Sequence, residues 1–438
     1  MAHQQAEPKT GFRPKMILFC IIFMASLAAF NFKVTRILYY PPTFFAALWA
    51  ALLFALFISG DFFYPISDLT LVLYSLGVFM FSMGGLLVFS LYPNRPRTNM
   101  SGNPRDISFT NRFLDLGLLV LLLAFPFYWR YLQQIGAASG FEDFWIGLRT
   151  QTGSGEQGNM GFGIYAYLTA FSTFISLAAY YVNDGTLYQR FRAYALIAVS
   201  LTYHVLTVSR LGAMITIFGI VGVTLVRYGR IRIRSLIVGI IIFVLIFSVP
   251  ALLLNKGGSR ETDISENVVS LTENFKVYVL GGLVAMDEVV IHPESIESNW
   301  RSLRFFITIA NRLGSNFDLG SSNLDFTLTP LPTNVYTIYF PYFQDYGWAG
   351  TAFIMFILGA FTTRVYILAI NGDPQAAVLF GLIFGSLILS CASDLFMISI
   401  SYWIQAYVFT FLLFKLPLYW RDHESIPSDT FQKIRPLS

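Results

Sequence analysis

The chain is poor in charge. Of its 438 residues only 12% are Asp, Glu, Lys or Arg, roughly half the share of an ordinary soluble domain, whereas 55% are hydrophobic. A soluble fold of this size has too little interior to hide that much apolar surface. Cysteine is scarce as well: Cys20 and Cys391 are the only two, both in or beside apolar runs and without metal-ligand spacing, which argues against a disulfide framework or a zinc site. Asp-x-Asp, GxSxG, HExxH and P-loop patterns are all missing. A phosphate-bound metal, a hydrolase elbow, a zinc-protease helix and a nucleotide-driven pump therefore lack their residues. The net charge of +4 does not point to nucleic acid, because the basic residues cluster in short segments between apolar runs.

Those apolar runs, about 20 residues each, have the length of membrane-spanning helices. They fall at Met16–Phe32, Thr43–Ser59, Asp68–Tyr92, Phe113–Leu132, Phe162–Val182, Ala193–Val208, Leu211–Val226, Ser235–Leu254, Trp348–Ile370, Gln375–Ser393 and Leu395–Leu416. The expected fold is an all-α polytopic membrane protein with about 11–12 transmembrane helices, a single integral membrane domain over residues 1–438. Four arginines, Arg227, Arg230, Arg232 and Arg234, crowd one short connection, which the positive-inside rule assigns to the cytoplasm. The same frame puts Arg95, Arg97, Arg105, Arg112, Arg190, Arg192 and the tail with Arg421, Lys433 and Arg435 on that side. It places the amino terminus on the other side, against the pull of Lys9, Arg13 and Lys15, and so leaves that terminus unassigned.

The interval 255–347 faces away from the cytoplasm in this frame. Its length is far beyond an ordinary connection and implies function or structure of its own; Thr272–Ile291 and Trp300–Leu313 both read as helical. In Arg301–Leu313, helical periodicity gathers Arg301, Arg304, Thr308, Asn311 and Arg312 into one arc with Leu303, Phe306, Ile307 and Ala310 opposite. That is an amphipathic helix suited to the membrane–water boundary, its arginines facing phosphate or lipid headgroups. Arg210 sits between two apolar runs with no true loop around it, and a charge so near the bilayer is a functional candidate. His204, within the preceding span, reads as a satisfied bundle residue. Arg149 precedes the glycine-rich run TGSGEQGNMGFG, which reads as a loop. His292, in VVIHPES, is a candidate general base or an exposed loop histidine.

The interval closes on LPTNVYTIYFPYFQDYGWAG, residues Leu331–Gly350, dense in Tyr and Phe and carrying one acid, Asp345. Rings at the mouth of a membrane helix suit the bilayer interface and would equally stack on a sugar. The stretch Pro332–Gly350 resembles the signature of Wzy-type O-antigen (oligosaccharide repeat-unit) polymerases, as does Ser209-Arg210-Leu211-Gly212-Ala213 at a helix start. The layout of about a dozen spans with one large late periplasmic loop resembles that family too. Phe340 stands where a basic residue often precedes the proline, so no phosphate role carries over to that position.

The resemblance implies a metal-independent, inverting glycosyltransferase of the bacterial inner membrane without cofactors. It would move a growing glycan from an undecaprenyl-pyrophosphate donor to the terminal sugar of another lipid-linked repeat unit at the periplasmic face. Arginines would stabilise the pyrophosphate leaving group: Arg210 first, then Arg301, Arg304, Arg149 and Arg312. Asp345 or Asp325, or else His292, would deprotonate the acceptor hydroxyl. Tyr336, Tyr339 and Tyr342 would hold sugar or shape the cavity. The implied partners are the lipid-linked oligosaccharide, a Wzz-type chain-length-determinant co-polymerase and membrane lipids. The neighbouring possibilities are an O-antigen ligase, which differs in acceptor alone, and a lipid-linked oligosaccharide flippase.

Overall fold

In the computed structural model the described residues are 14–92, 104–138, 143–153, 163–207, 210–231, 272–293, 300–318 and 326–416, with single residues at 140, 239, 241 and 324. The protein is an all-α polytopic membrane protein. Its helices are α1 (Pro14–Thr35), α2 (Pro41–Ile58), α3 (Asp68–Leu91), α4 (Pro104–Ala138), α5 (Phe144–Gly153), α6 (Tyr165–Val182), α7 (Leu187–Leu206), α8 (Arg210–Tyr228), α9 (Gly282–Ile291), α10 (Arg304–Arg312), α11 (Tyr339–Ile370), α12 (Pro374–Ile388) and α13 (Ile400–Phe414). Among the described residues the only strands are β1 (Thr327–Leu328) and β2 (Pro332–Thr333), a two-residue antiparallel pair.

Among the described residues seven helices are long and apolar enough to cross a membrane unaided: α1, α2, α3, α4, α8, α11 and α12. The spans expected on α6, α7 and α13 are helical too. The first two are diluted by an inward polar seam: the Ser172 hydroxyl donates to Ser200, and Thr173 pairs with the His204 ring at 2.8 Å and with Thr216 of α8. His204 is thus a hydrogen-bonded core residue. The span expected over Ser235–Leu254 lies outside the described residues but for residues 239 and 241.

Close helix crossings hold the bundle. α3 and α11 make the most extensive pair, and small residues permit it. A Cβ on Gly84 would lie 1.9 Å from the Phe356 carbonyl oxygen, and one on Gly359 equally near that of Phe81. Approach of backbones over small residues is the usual way membrane helices gain packing energy, since lipid offers no hydrophobic drive. Elsewhere polar clasps act: the buried Arg192 of α7 pairs with Asp115 of α4 at 3.0 Å and donates to Asn111.

These contacts settle which helix ends lie together. Cys20 donates to the Leu71 carbonyl and Asn31 to Ser82, so α1 and α3 run in the same direction. The guanidinium of Arg364, late in α11, lies 4.0 Å from the ring centre of Tyr92, just past α3. Arg227, at the end of α8, donates to carbonyls at the end of α6. The ends of α1, α3, α6, α8 and α11 therefore form one arginine-rich end. Pro14 and the start of α3 lie at the opposite one, here called the far end. Although Lys9, Arg13 and Lys15 are basic, α1 begins at the far end, opposite the arginine-rich one.

Two expectations about helix boundaries are corrected. The aromatic stretch is not a loop leading to a helix at Trp348, because helix already begins at Tyr339 and the chain bends at Gly347. There φ is 63° and ψ is −156°, a conformation essentially restricted to glycine. Likewise the last two spans do not abut near residue 394. A 3-10 turn at Leu389–Cys391 ends α12, and helix resumes only at Ile400. The interruption is held by Asp394, 2% exposed, which accepts from the Tyr342 hydroxyl at 2.6 Å and from the amides of Phe396, Met397 and Ile398. A bare carboxylate at that depth would be expensive; four donors offset the burial.

Candidate functional site

The interval 255–347, expected as one large partly helical loop, folds onto the far end of the bundle in its described parts. Both helices read from sequence exist. Residues 272–291 are continuously helical, with a π-helical turn at Val277–Gly281 leading into α9. Such π turns break helical register and concentrate at functional sites. This helical segment packs into the bundle. Gly282 would place a Cβ 2.6 Å from the Cys391 carbonyl oxygen, and the Tyr74 hydroxyl donates to the Leu283 carbonyl at 2.7 Å. Asp287, 3% exposed, accepts from the Ser67 amide and hydroxyl and from the Thr70 hydroxyl. Its carboxylate thereby caps the N-terminus of α3, where negative charge also meets the helix dipole favourably.

Beside it stands the aromatic unit. Tyr336 stacks on Phe340 with centroids 4.4 Å apart, and its hydroxyl pairs with Thr327 of β1. Phe340 carries the guanidinium of Arg301 at 5.7 Å from its ring centre, and Arg301 Nε donates to Gln344 at 3.1 Å. The neutral ring that replaced the expected basic residue thus seats an arginine brought from another segment. Asp345 accepts from the Arg301 amide, the Ser302 amide and the Ser302 hydroxyl, the last at 2.6 Å. It is a helix cap fastening the 3-10 turn Arg301–Leu303 and the following α10 to the start of α11. Trp300, ahead of that turn, has φ 45°, unusual for a bulky residue, and its ring meets Tyr346 edge-on.

The candidate residues therefore divide. Arg301 is buried, and Arg304 is half-buried. Desolvation lowers the Arg304 pKa from its ordinary value, though a guanidinium stays charged regardless. Arg312 is exposed. α10 buries no residue in the protein and leaves Phe306, Ile309 and Leu313 exposed, the apolar face that an interfacial helix turns to lipid. Arg210 is the first residue of α8, its guanidinium 5.9 Å from the Tyr278 ring centre within the π turn. Tyr339 and Tyr342 are fully buried. Their hydroxyls go to the Tyr74 carbonyl and to Asp394, so they brace the site from behind and present no surface to a sugar. Tyr336 is buried as well, so it too presents little surface to a sugar.

His292 ends α9 on an exposed turn. Fourteen residues of helix, roughly 21 Å, separate it from Tyr278, so it and Arg210 do not share a reacting atom. Arg149 lies in α5, but its side chain is outside the described residues, as are Asp325, Ser209 and the glycine-rich run from 154 to 162. Sequence reasoning passed over Tyr278, Ser302, Gln344 and Asp394. Of these Ser302 alone carried a signal, an N-terminal Ser ahead of the amphipathic repeat. The others depend on contacts across the chain.

No protein-family model matches the chain, and neither curated proteins nor solved structures include a match.

Proposed function

We propose that the chain is a membrane glycosyltransferase that polymerises lipid-linked oligosaccharide repeat units. It would take the growing glycan from an undecaprenyl-pyrophosphate donor at the far end of the bundle, the periplasmic face of a bacterial inner membrane. The observation that carries this reading is the pair of guanidinium groups seated on aromatic rings there, Arg210 over Tyr278 and Arg301 over Phe340. Both belong to the segments in which the resemblance to Wzy-type polymerases resides, or dock onto them. Fixed cations at a lipid interface suit a pyrophosphate leaving group, whose developing charge preorganised guanidinium groups stabilise.

In this scheme the acceptor hydroxyl attacks the anomeric carbon as the bond to pyrophosphate breaks, with inversion. Arg210 and Arg301 meet the phosphates, while Arg304 and Arg312 on α10 hold the lipid-proximal headgroup. Asp345 is a positioning residue, because its oxygens already serve the Arg301–Ser302 turn. Asp325, two residues before the Thr327 that pairs with Tyr336, takes precedence over His292 as the base. A Wzz-type co-polymerase setting chain length belongs to the same proposal.

A flippase is the second reading, favoured by the helix interruptions at Gly347 and at 392–399, since broken helices near a buried acid recur in transporters. A strain lacking the gene separates the outcomes on a lipopolysaccharide gel. Core bearing a single repeat supports polymerisation. Bare core with accumulated lipid-linked polymer indicates a ligase, and loss of all exported repeats indicates the flippase. With purified protein, chelation of divalent metals by EDTA is expected to leave the rate of chain growth unchanged; a loss restored by magnesium would contradict arginine-only stabilisation.

A further inference from the structure

The arginine-rich end holds a second feature that the proposed chemistry does not use. Where the turn between α6 and α7 meets the end of α8, a cavity of about 620 Å3 opens, with Arg190, Arg227 and Arg230 on its wall and Tyr194 and Tyr228 beside them. One acid, Asp184, also lines it, and that carboxylate accepts the Thr186 amide at 3.0 Å. Arg227 is fixed: it donates to the carbonyls of Tyr180 and Asn183 and lies against the rings of Tyr181 and Tyr228. Its partners are neutral, so the positive charge is held in place and not cancelled. Among the described residues neither Arg190 nor Arg230 is ion-paired with an acid, and both are exposed.

We propose that this cavity binds the phosphate of an acidic phospholipid headgroup. Three guanidinium groups around one pocket offer the forked donor geometry that phosphate oxygens accept, and basic pockets between membrane helices are known headgroup sites. What selects a lipid over a free anion is the surface leading into the pocket. On α7, Leu187, Phe191 and Tyr194 follow one another at helical spacing and are 86%, 69% and 63% exposed. Arg190 falls within this stretch, and Tyr194 belongs both to the stripe and to the cavity wall. An acyl chain lying along this apolar stripe leaves its phosphate beside the arginines. The inference rests on the membrane fold alone and is independent of the glycosyltransferase reading.

The test is native mass spectrometry of the full-length protein in detergent, titrated with phosphatidylglycerol and, separately, with phosphatidylcholine. Phosphatidylglycerol is expected to bind measurably tighter. The double variant Arg190→Gln/Arg230→Gln removes two exposed side chains without emptying the core, and is expected to weaken phosphatidylglycerol roughly thirty-fold with phosphatidylcholine unchanged. Lys15→Gln, an exposed side chain at the opposite end, controls for loss of charge alone and is expected to change nothing. Inorganic phosphate is expected to leave the lipid isotherm in place. Equal affinity for the two lipids, an unaltered isotherm in the double variant, an equal loss in the control, or full competition by inorganic phosphate would each overturn the assignment. Should the double variant misfold, Arg230→Gln alone, beyond the end of α8, reads the same difference.

Discussion

At the scale of single residues, three acids toward the far end act as acceptors that join chain segments. Asp345, Asp287 and Asp394 each satisfy amide or hydroxyl donors where chain segments meet. Removing one leaves the donors unmatched, and buried unmatched donors are costly. Asp345→Ala is expected to destabilise the protein by about 1–2 kcal/mol, the range of a lost helix cap, and to free α10. Limited proteolysis between residues 294 and 318 should then quicken. An unchanged cleavage rate would mean that α10 is held otherwise. Asp287→Ala, which strands three donors in a buried place, is expected to cost about 3 kcal/mol, read as a lowered melting temperature in detergent. A melting curve like that of the unaltered protein would contradict the capping role.

At the scale of elements, the close crossings are what substitution should disturb most. Gly359→Leu drives side-chain atoms into the Phe81 carbonyl; overpacking of this kind costs about 1–3 kcal/mol and should lower the yield of folded protein. Gly314→Leu would serve poorly as a control because its φ is 107°, so Ile357→Leu, on the exposed side of α11, should leave yield unchanged. The apolar runs made most helices legible, and the arginine periodicity made α10 legible. The half-helix Tyr339–Tyr346 was not, because an aromatic belt and a buried aromatic hairpin have the same composition. Only the pairing of Tyr339 with Trp49 and Tyr74 separates them. The break at 392–399 was hidden for a related reason: the run LSCASDLFMIS is apolar enough to continue a span, and the Tyr342 hydroxyl that helps satisfy Asp394 lies 52 residues away.

At the scale of the whole molecule, the bundle has two chemically different ends. One gathers arginines around short turns; the other receives the described parts of the 255–347 interval, both helix breaks' neighbouring aromatics and the start of α1. A labelling experiment checks this arrangement. In a chain whose buried Cys20 and Cys391 are replaced by alanine, Lys15→Cys and Asp61→Cys should react with an impermeant maleimide from the same side. Arg230→Cys should react only from the other. Labelling of Lys15→Cys and Asp61→Cys from opposite sides would contradict the parallel course of α1 and α3.

The proposed chemistry is tested most directly with purified protein and a synthetic undecaprenyl-pyrophosphate repeat unit as both donor and acceptor. The unaltered protein is expected to build a ladder of lengthened glycans and release undecaprenyl pyrophosphate. Arg210→Ala, at equal melting temperature, should lower the rate about a hundred-fold or more, the scale of losing one preorganised donor to a developing anion. A ladder formed equally fast by Arg210→Ala, or none formed by the folded unaltered protein, would contradict the account.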